Sequence, residues 1–168
     1  MVDDWFELLD ATITNYGIKE DCIFSMDETC CFLDKSRTKG CHIGSAKQVQ
    51  QMILRNEARE TVTTIPLISA NGAVFPPTII FKGEKGDNWD NSLNAIIYLS
   101  SKGYMTGEIS IDWIKNDFDH ATHHLANGCP WLLIADGHDL HFTLCFLKYA
   151  REHIIHILCL PPHTTHAL

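Results

Sequence analysis

The run Trp131-Leu132-Leu133-Ile134-Ala135-Asp136 decides the fold class of this 168-residue chain. It is unbroken and apolar and ends at an acid, which is typical of a strand buried on both faces of a parallel sheet. A second apolar run, 154–160, follows a segment with helical spacing over 141–153. Because parallel strands need a crossover connection, these segments predict a strand–helix–strand unit.

The segments that precede this strand–helix–strand unit include a predicted antiparallel hairpin. The pair Asn71-Gly72 lies between two β-rich runs and predicts a hairpin. Helices are predicted over 3–16 and 110–125, and strands over 22–26, 30–33, 61–69, 74–81 and 96–99, with 30–33 as the hairpin partner of 22–26. The order predicts an α/β domain with a mixed sheet, antiparallel in its first half and parallel in its second.

Composition favours one globular domain over residues 1–168. Apolar residues make up 45% and charged residues 20% of the chain, which is ordinary for such a domain. No run reaches the roughly 20 apolar residues of a membrane span, and the first residues lack the pattern of a signal peptide. The seven cysteines are scattered without a CxxC pair, so free thiols in a reducing compartment are expected. A cytosolic or nuclear location follows as the prediction.

The net charge of −8 argues against a protein that binds polyanions with its whole surface. One stretch differs, because five basic residues lie between Asp34 and Glu57 with no acid among them. These are Lys35, Arg37, Lys39, Lys47 and Arg55. Such a stretch fits a nucleic-acid backbone, and it fits a solvated loop or strand face equally well.

Two acids end apolar strands and are candidate metal ligands. Asp27 follows the run 22–26, and Asp136 ends the run 131–136. The carboxyl ends of strands in α/β sheets are where ligands bind, and neighbouring carboxylates suit Mg²⁺ or Mn²⁺. The alternative is that each acid caps a turn or the following helix.

Histidines follow both strands of the predicted parallel unit. His138 and His141 come directly after Asp136, and His163 and His166 follow the run 154–160. If the strands are neighbours, the two pairs face one cleft and suit zinc through their imidazole nitrogens. The alternative is that they bond to the loops and to one another, or approach substrate phosphates.

Three motifs in this order resemble the DDE superfamily endonuclease domain. They are Met26-Asp27-Glu28-Thr29, Asp136-Gly137-His138 followed by His141, and Leu160-Pro161-Pro162-His163-Thr164-Thr165-His166. The resemblance is to the pogo, Tigger and jerky branch of the mariner-like transposases, to which centromere-binding protein B is related. It extends from about Trp5 to Leu168.

The resemblance implies an RNase H-like fold with Asp27 on its first strand and Asp136 on its fourth. In that family two Mg²⁺ or Mn²⁺ ions serve hydrolysis and strand transfer on DNA. The family's third acid lies beyond the last motif, so we expect a catalytic domain that is incomplete at its C-terminus and weak or inactive alone. The alternative is a domesticated, non-catalytic module that binds DNA or protein. A nuclear location is expected, with a protein partner or a second copy over exposed apolar surface.

Overall fold

The computed structural model describes residues 2–32, 61–83, 95–126, 128–136 and 142–161. In these ranges the helices are α1 (Val2–Tyr16), α2 (Gly107–Asp112), α3 (His120–Ala126) and α4 (Leu144–Glu152), and a π-helical segment, Trp113–Asp119, joins α2 to α3. The strands are β1 (Ile23–Met26), β2 (Thr29–Phe32), β3 (Thr61–Ile65), β4 (Leu67–Ser69), β5 (Thr78–Lys82), β6 (Ile96–Ser100), β7 (Trp131–Asp136) and β8 (Ile155–Leu160).

The described strands form two mixed sheets of four strands. One has the order β4-β1-β7-β8, in which β1, β7 and β8 are parallel and β4 is antiparallel to β1. The other has the order β2-β3-β5-β6, antiparallel except for the parallel pair β5 and β6. The predicted parallel unit of 131–160 is therefore confirmed.

The two sheets are continuous along two extended segments. One segment carries β1 and then β2, and the other carries β3 and then β4. Met26 pairs with Leu67 in the first sheet, and Thr29 pairs with Thr64 in the second. The register is therefore the same on both sides of the interruption. The prediction that 30–33 forms a hairpin with 22–26 was wrong, because β2 extends the line of β1 and pairs with β3.

Helices cover both faces of the first sheet. On one face the rings of Phe24 and Phe118 meet edge to face at 5.3 Å, so the helical segment 107–126 packs against β1 there. The opposite face carries α1, whose Trp5 and Leu9 line a cavity together with Ser25 and Ile134. Burying apolar side chains on both faces explains why β7 is apolar along its whole length.

Local chemistry sets where the elements begin and end. Gly17 has φ +63° and lies just past α1, where the amide of Ile18 donates to the carbonyl of Ile13 at 3.0 Å, as in a glycine-terminated helix. At the predicted Asn71-Gly72 turn, Gly72 has φ +88° and its amide donates to Ser69 at 2.9 Å. That turn confirms the predicted hairpin.

The surface of the described ranges carries scattered large apolar side chains. The most exposed are Leu144 at 83% and Val74 at 78%. A protein partner or a second copy that covers such surface stays a prediction. No helix within the described residues combines the length and the apolar character needed to cross a membrane.

Candidate functional site

The two strand-end acids lie side by side. β1 and β7 are parallel neighbours in which Met26 pairs with Ala135. The next residue on each strand is an acid, Asp27 on one and Asp136 on the other. Asp27 is exposed and Asp136 is partly buried. Two acids that lie 109 positions apart in the sequence are thus brought together by one parallel strand pair.

Both acids line one cavity of about 400 Å³. Three strands contribute its floor, with Ser25 and Met26 from β1, Ile134 from β7 and Leu160 from β8. The first turns of α1 contribute its wall through Trp5, Phe6 and Leu9. The cavity is therefore mostly apolar, and its polar side chains are the two carboxylates and Ser25.

Contacts to β8 hold α1 at this cavity. The indole N–H of Trp5 donates to the carbonyl of Cys159 at 2.8 Å. At the other end of α1, the Tyr16 ring lies 3.8 Å from the His156 ring, centroid to centroid. Desolvation and the negative charge of Asp136 raise the pKa of the Cys159 thiol.

The donor set suits a hard divalent cation. Carboxylate oxygens are the ligands that Mg²⁺ prefers, and Mg²⁺ commonly takes only one or two carboxylates and completes its shell with water and substrate phosphate. Asp27 and Asp136 fit that pattern. Among the residues that the structure describes, no group of three or more His, Cys, Asp or Glu side chains is arranged to hold a metal ion.

Most of the other predicted site residues lie outside the described residues. These are the basic residues Lys35, Arg37, Lys39, Lys47 and Arg55 and the cleft histidines His138, His141, His163 and His166. The predictions made for them stay predictions. His120, His123 and His124, which have helical spacing on the predicted helix, are exposed.

Sequence reasoning missed a buried acid in the π-helical segment. Asp117 is 6% exposed and accepts hydrogen bonds from the hydroxyl of Thr78 at 2.9 Å and of Tyr98 at 3.0 Å. Burial raises the pKa of Asp117 to about 6, although both hydrogen bonds favour its ionised form. Asp117 thereby ties the helical layer to β5 and β6.

A second buried acid lies two residues further on. Asp119 is 7% exposed, and its Oδ2 accepts a hydrogen bond from the Tyr149 hydroxyl at 2.6 Å. The same oxygen lies 3.0 Å from Nδ1 of His153, whose ring stacks on Tyr149 at 3.9 Å. Asp119 thus joins the π-helical segment to the end of α4. The pattern Asp-Phe-Asp is an ordinary polar pattern for a helix, so the sequence alone carries no signal for either acid.

Comparison with known proteins identifies the family of the chain. The family model described as DDE superfamily endonuclease matches residues 58–168. A curated protein of Cochliobolus lunatus, named MFS-type transporter clz9, is 31% identical over 169 residues. That match covers 98% of this chain but only 18% of the curated protein, so the chain spans less than a fifth of that relative.

Solved transposase structures share the fold. The Mos1 transposase paired-end complex with left transposon end matches with a TM-score of 0.58 at 10% identity, over 98% of this chain and 41% of that one. The Mos1 mariner paired-end complex with Mn matches with a TM-score of 0.58 at 9% identity, over 94% and 40%. These likenesses confirm the predicted RNase H-like α/β fold.

Proposed function

The chain belongs to the DDE superfamily endonuclease family, and from that premise we propose that it is a transposase-type nuclease core that cuts phosphodiester bonds in DNA. The similar solved chains are named as Mos1 transposase complexes with transposon ends, which supports DNA as the substrate. Membership of the pogo, Tigger and jerky branch is part of the proposal. It is supported by the three motifs at Asp27, Asp136 and Pro161.

One observation carries the proposal, which is the side-by-side position of Asp27 and Asp136 at the end of a parallel strand pair. Both carboxylates line the same cavity, and the cavity is open enough to leave Asp27 exposed. A capping role for each acid would not require them to meet. Their meeting therefore favours a shared ligand.

We assign Mg²⁺ or Mn²⁺ as that ligand, with Asp27 and Asp136 as the protein's carboxylate ligands. Divalent ions of this kind activate a water or hydroxyl and stabilise the leaving oxygen when a phosphodiester is cut. The chain's own contribution is to set the two carboxylates on rigid neighbouring strands. The apolar side chains of Trp5, Phe6 and Leu9 line the same cavity.

The basic stretch is proposed as the contact to the DNA backbone. Lys35, Arg37, Lys39, Lys47 and Arg55 supply five positive charges in a chain whose net charge is −8. Affinity that depends on such contacts falls steeply with salt, because bound counterions are released from the DNA.

A non-catalytic module that binds DNA or protein is the second candidate. It is favoured by the net charge of −8. As such a module, the chain would keep the fold of its family and would no longer cut DNA. Nuclease activity separates the two candidates directly.

The test is divalent-dependent nicking of labelled duplex DNA by the wild-type chain and by Asp27→Asn and Asp136→Asn. Asp10→Asn, which changes an exposed acid on α1, is the matched control. We expect Mn²⁺-dependent nicking in the wild type and the control and a loss of roughly 100-fold or more in both site variants. Equal activity in all four folded proteins would leave the non-catalytic module.

A further inference from the structure

The strand pair that carries Asp27 is interrupted at Asp27 itself. The register places Asp27 opposite Pro66 and Glu28 opposite Ile65, between the paired segments on either side. Proline has no amide N–H and cannot donate to a strand ladder. The backbone at Asp27 therefore lacks one source of the hydrogen bonding that fixes β1 and β2.

The Glu28 side chain supplies a different anchor at this interruption. Its Oε1 accepts a hydrogen bond from the backbone amide of Met105 at 3.2 Å, across 77 positions of sequence. Met105 is fully buried and lies in the segment just before α2. This hydrogen bond joins the interrupted strand pair to the buried segment that precedes α2.

The anchor and the candidate metal ligand lie on opposite faces of the strand. Successive side chains along a strand alternate between faces. Phe24 is buried against Phe118 on the side of the helical layer, and Glu28 reaches Met105 on that same side, whereas Ser25 and Asp27 line the cavity. Glu28 thus holds the backbone next to Asp27 from the face of the strand opposite the cavity.

We propose that Glu28 is a positioning residue for Asp27, which sets the carboxylate of Asp27 for divalent-cation binding through its hydrogen bond to Met105. The inference rests on the proposed function, because Asp27 is a metal ligand only there. It assigns Glu28 no contact with metal or DNA. Groups that orient a ligand from outside the coordination shell typically change metal affinity by about 10- to 100-fold when removed.

Two substitutions separate the effect of the length of the Glu28 side chain from the effect of its charge. Glu28→Gln keeps the length and an acceptor oxygen but loses the charge, and it should bind Mn²⁺ within about threefold of the wild type. Glu28→Asp keeps the charge but is one methylene shorter, so it cannot span the same distance to Met105. It should lose about 10-fold or more in Mn²⁺ affinity. Electron paramagnetic resonance of unbound Mn²⁺, titrated with full-length chain, gives the affinities.

The matched control is Thr63→Val. The Thr63 hydroxyl donates to the carbonyl of Gly103 at 2.8 Å, so it holds the same segment from β3 instead of from the interruption. Thr63→Val should lower the melting temperature, as Glu28→Asp should, and should leave Mn²⁺ affinity within about threefold of the wild type.

Each contrary outcome has a distinct meaning. A loss in Glu28→Gln equal to that in Glu28→Asp would show that side-chain reach does not decide Mn²⁺ affinity, and it would overturn the positioning role. So would a loss in Thr63→Val, or none in Glu28→Asp. If the wild type binds Mn²⁺ no better than Asp27→Asn does, the metal centre of the proposed function fails first, and the positioning role fails with it.

Discussion

Two pairs of aspartates in this molecule occupy opposite environments. Asp27 and Asp136 lie at strand ends and line an open cavity of about 400 Å³. Asp117 and Asp119 lie in the π-helical segment at 6% and 7% exposure, and tyrosine hydroxyls donate to both. The same residue type thus serves at the candidate site and inside the helical layer.

The difference lies in how deeply each carboxylate is buried and in the protein groups that donate to the buried ones. A buried carboxylate is tolerated only when protein groups donate to it, since its desolvation is otherwise costly. Thr78 and Tyr98 meet that need at Asp117, which leaves it suited to hold elements together. A carboxylate at an open cavity can exchange water for an ion. Burial alone would therefore point to the wrong pair as the functional one.

The largest expected effect is on the free energy of unfolding, which should respond differently to substitution in the two pairs of aspartates. Asp117→Ala leaves the buried Thr78 hydroxyl and the half-buried Tyr98 hydroxyl without their acceptor, so we expect a loss of roughly 4 kcal/mol in the free energy of unfolding at pH 5. Asp27→Ala removes an exposed side chain and should change stability by no more than about 0.5 kcal/mol. Urea unfolding followed by circular dichroism gives both values.

The two variants should rank in the opposite order when Mn²⁺ affinity is measured. Folded Asp117→Ala should retain wild-type Mn²⁺ affinity, and Asp27→Ala should lose it. If Asp117→Ala lost Mn²⁺ while remaining folded, the buried pair would belong to the functional site, and the comparison would be wrong.

The strand-end pair could be predicted because its signal is local. Each acid closes an apolar run, and the parallel unit of 131–160 predicts that strand ends gather at one edge. The fold class and most elements followed from the same periodicity. The extension of β1 into β2 did not follow, because the short run after Asp27 predicts a hairpin equally well. Pro66 opposite Asp27 becomes meaningful only once the register is known.

The buried pair could not be predicted because its partners are distant in sequence. Asp117 meets Thr78, 39 positions away, and Asp119 meets Tyr149, 30 positions away. A helix that carries Asp at these positions has an ordinary polar pattern until the packing of β5, β6 and α4 is known. The parallel pairing of β5 with β6 is non-local in the same way.

The next effect is a pH dependence that belongs to Asp117. Burial raises its pKa to about 6 from an ordinary value of 3.8, so folding favours the protonated carboxyl. The stability that this group contributes is fully present below about pH 4 and is lost as pH rises through about 6. The shift corresponds to at most about 3 kcal/mol. Unfolding free energies of wild type and Asp117→Asn, measured from pH 4 to 7.5, give the difference.

Asp117→Asn removes the titrating group and keeps an acceptor for Tyr98 or Thr78. Relative to the wild type, it should therefore gain stability as pH rises from 4 to 7.5. Asp10→Asn, at an exposed position, should show no such trend. Parallel curves for wild type and Asp117→Asn would mean that Asp117 does not titrate differently in the folded state.

The smallest effect tests whether Asp119 belongs with Asp117. Tyr149→Phe removes the hydroxyl that donates to Asp119 at 2.6 Å, while His153 still lies 3.0 Å from the same oxygen. Because His153 remains beside that oxygen, we expect a loss of only about 1 kcal/mol in the free energy of unfolding.

Tyr16→Phe is the matched control for Tyr149→Phe, since Tyr16 is exposed and its ring also lies against a histidine, at 3.8 Å. It should change stability by less than about 0.5 kcal/mol. Equal losses in the two variants would trace the effect to the tyrosine–histidine ring contact. In that case Asp119 would lose its place beside Asp117 as a carboxylate that holds helices together, and the contrast with the strand-end acids would rest on Asp117 alone.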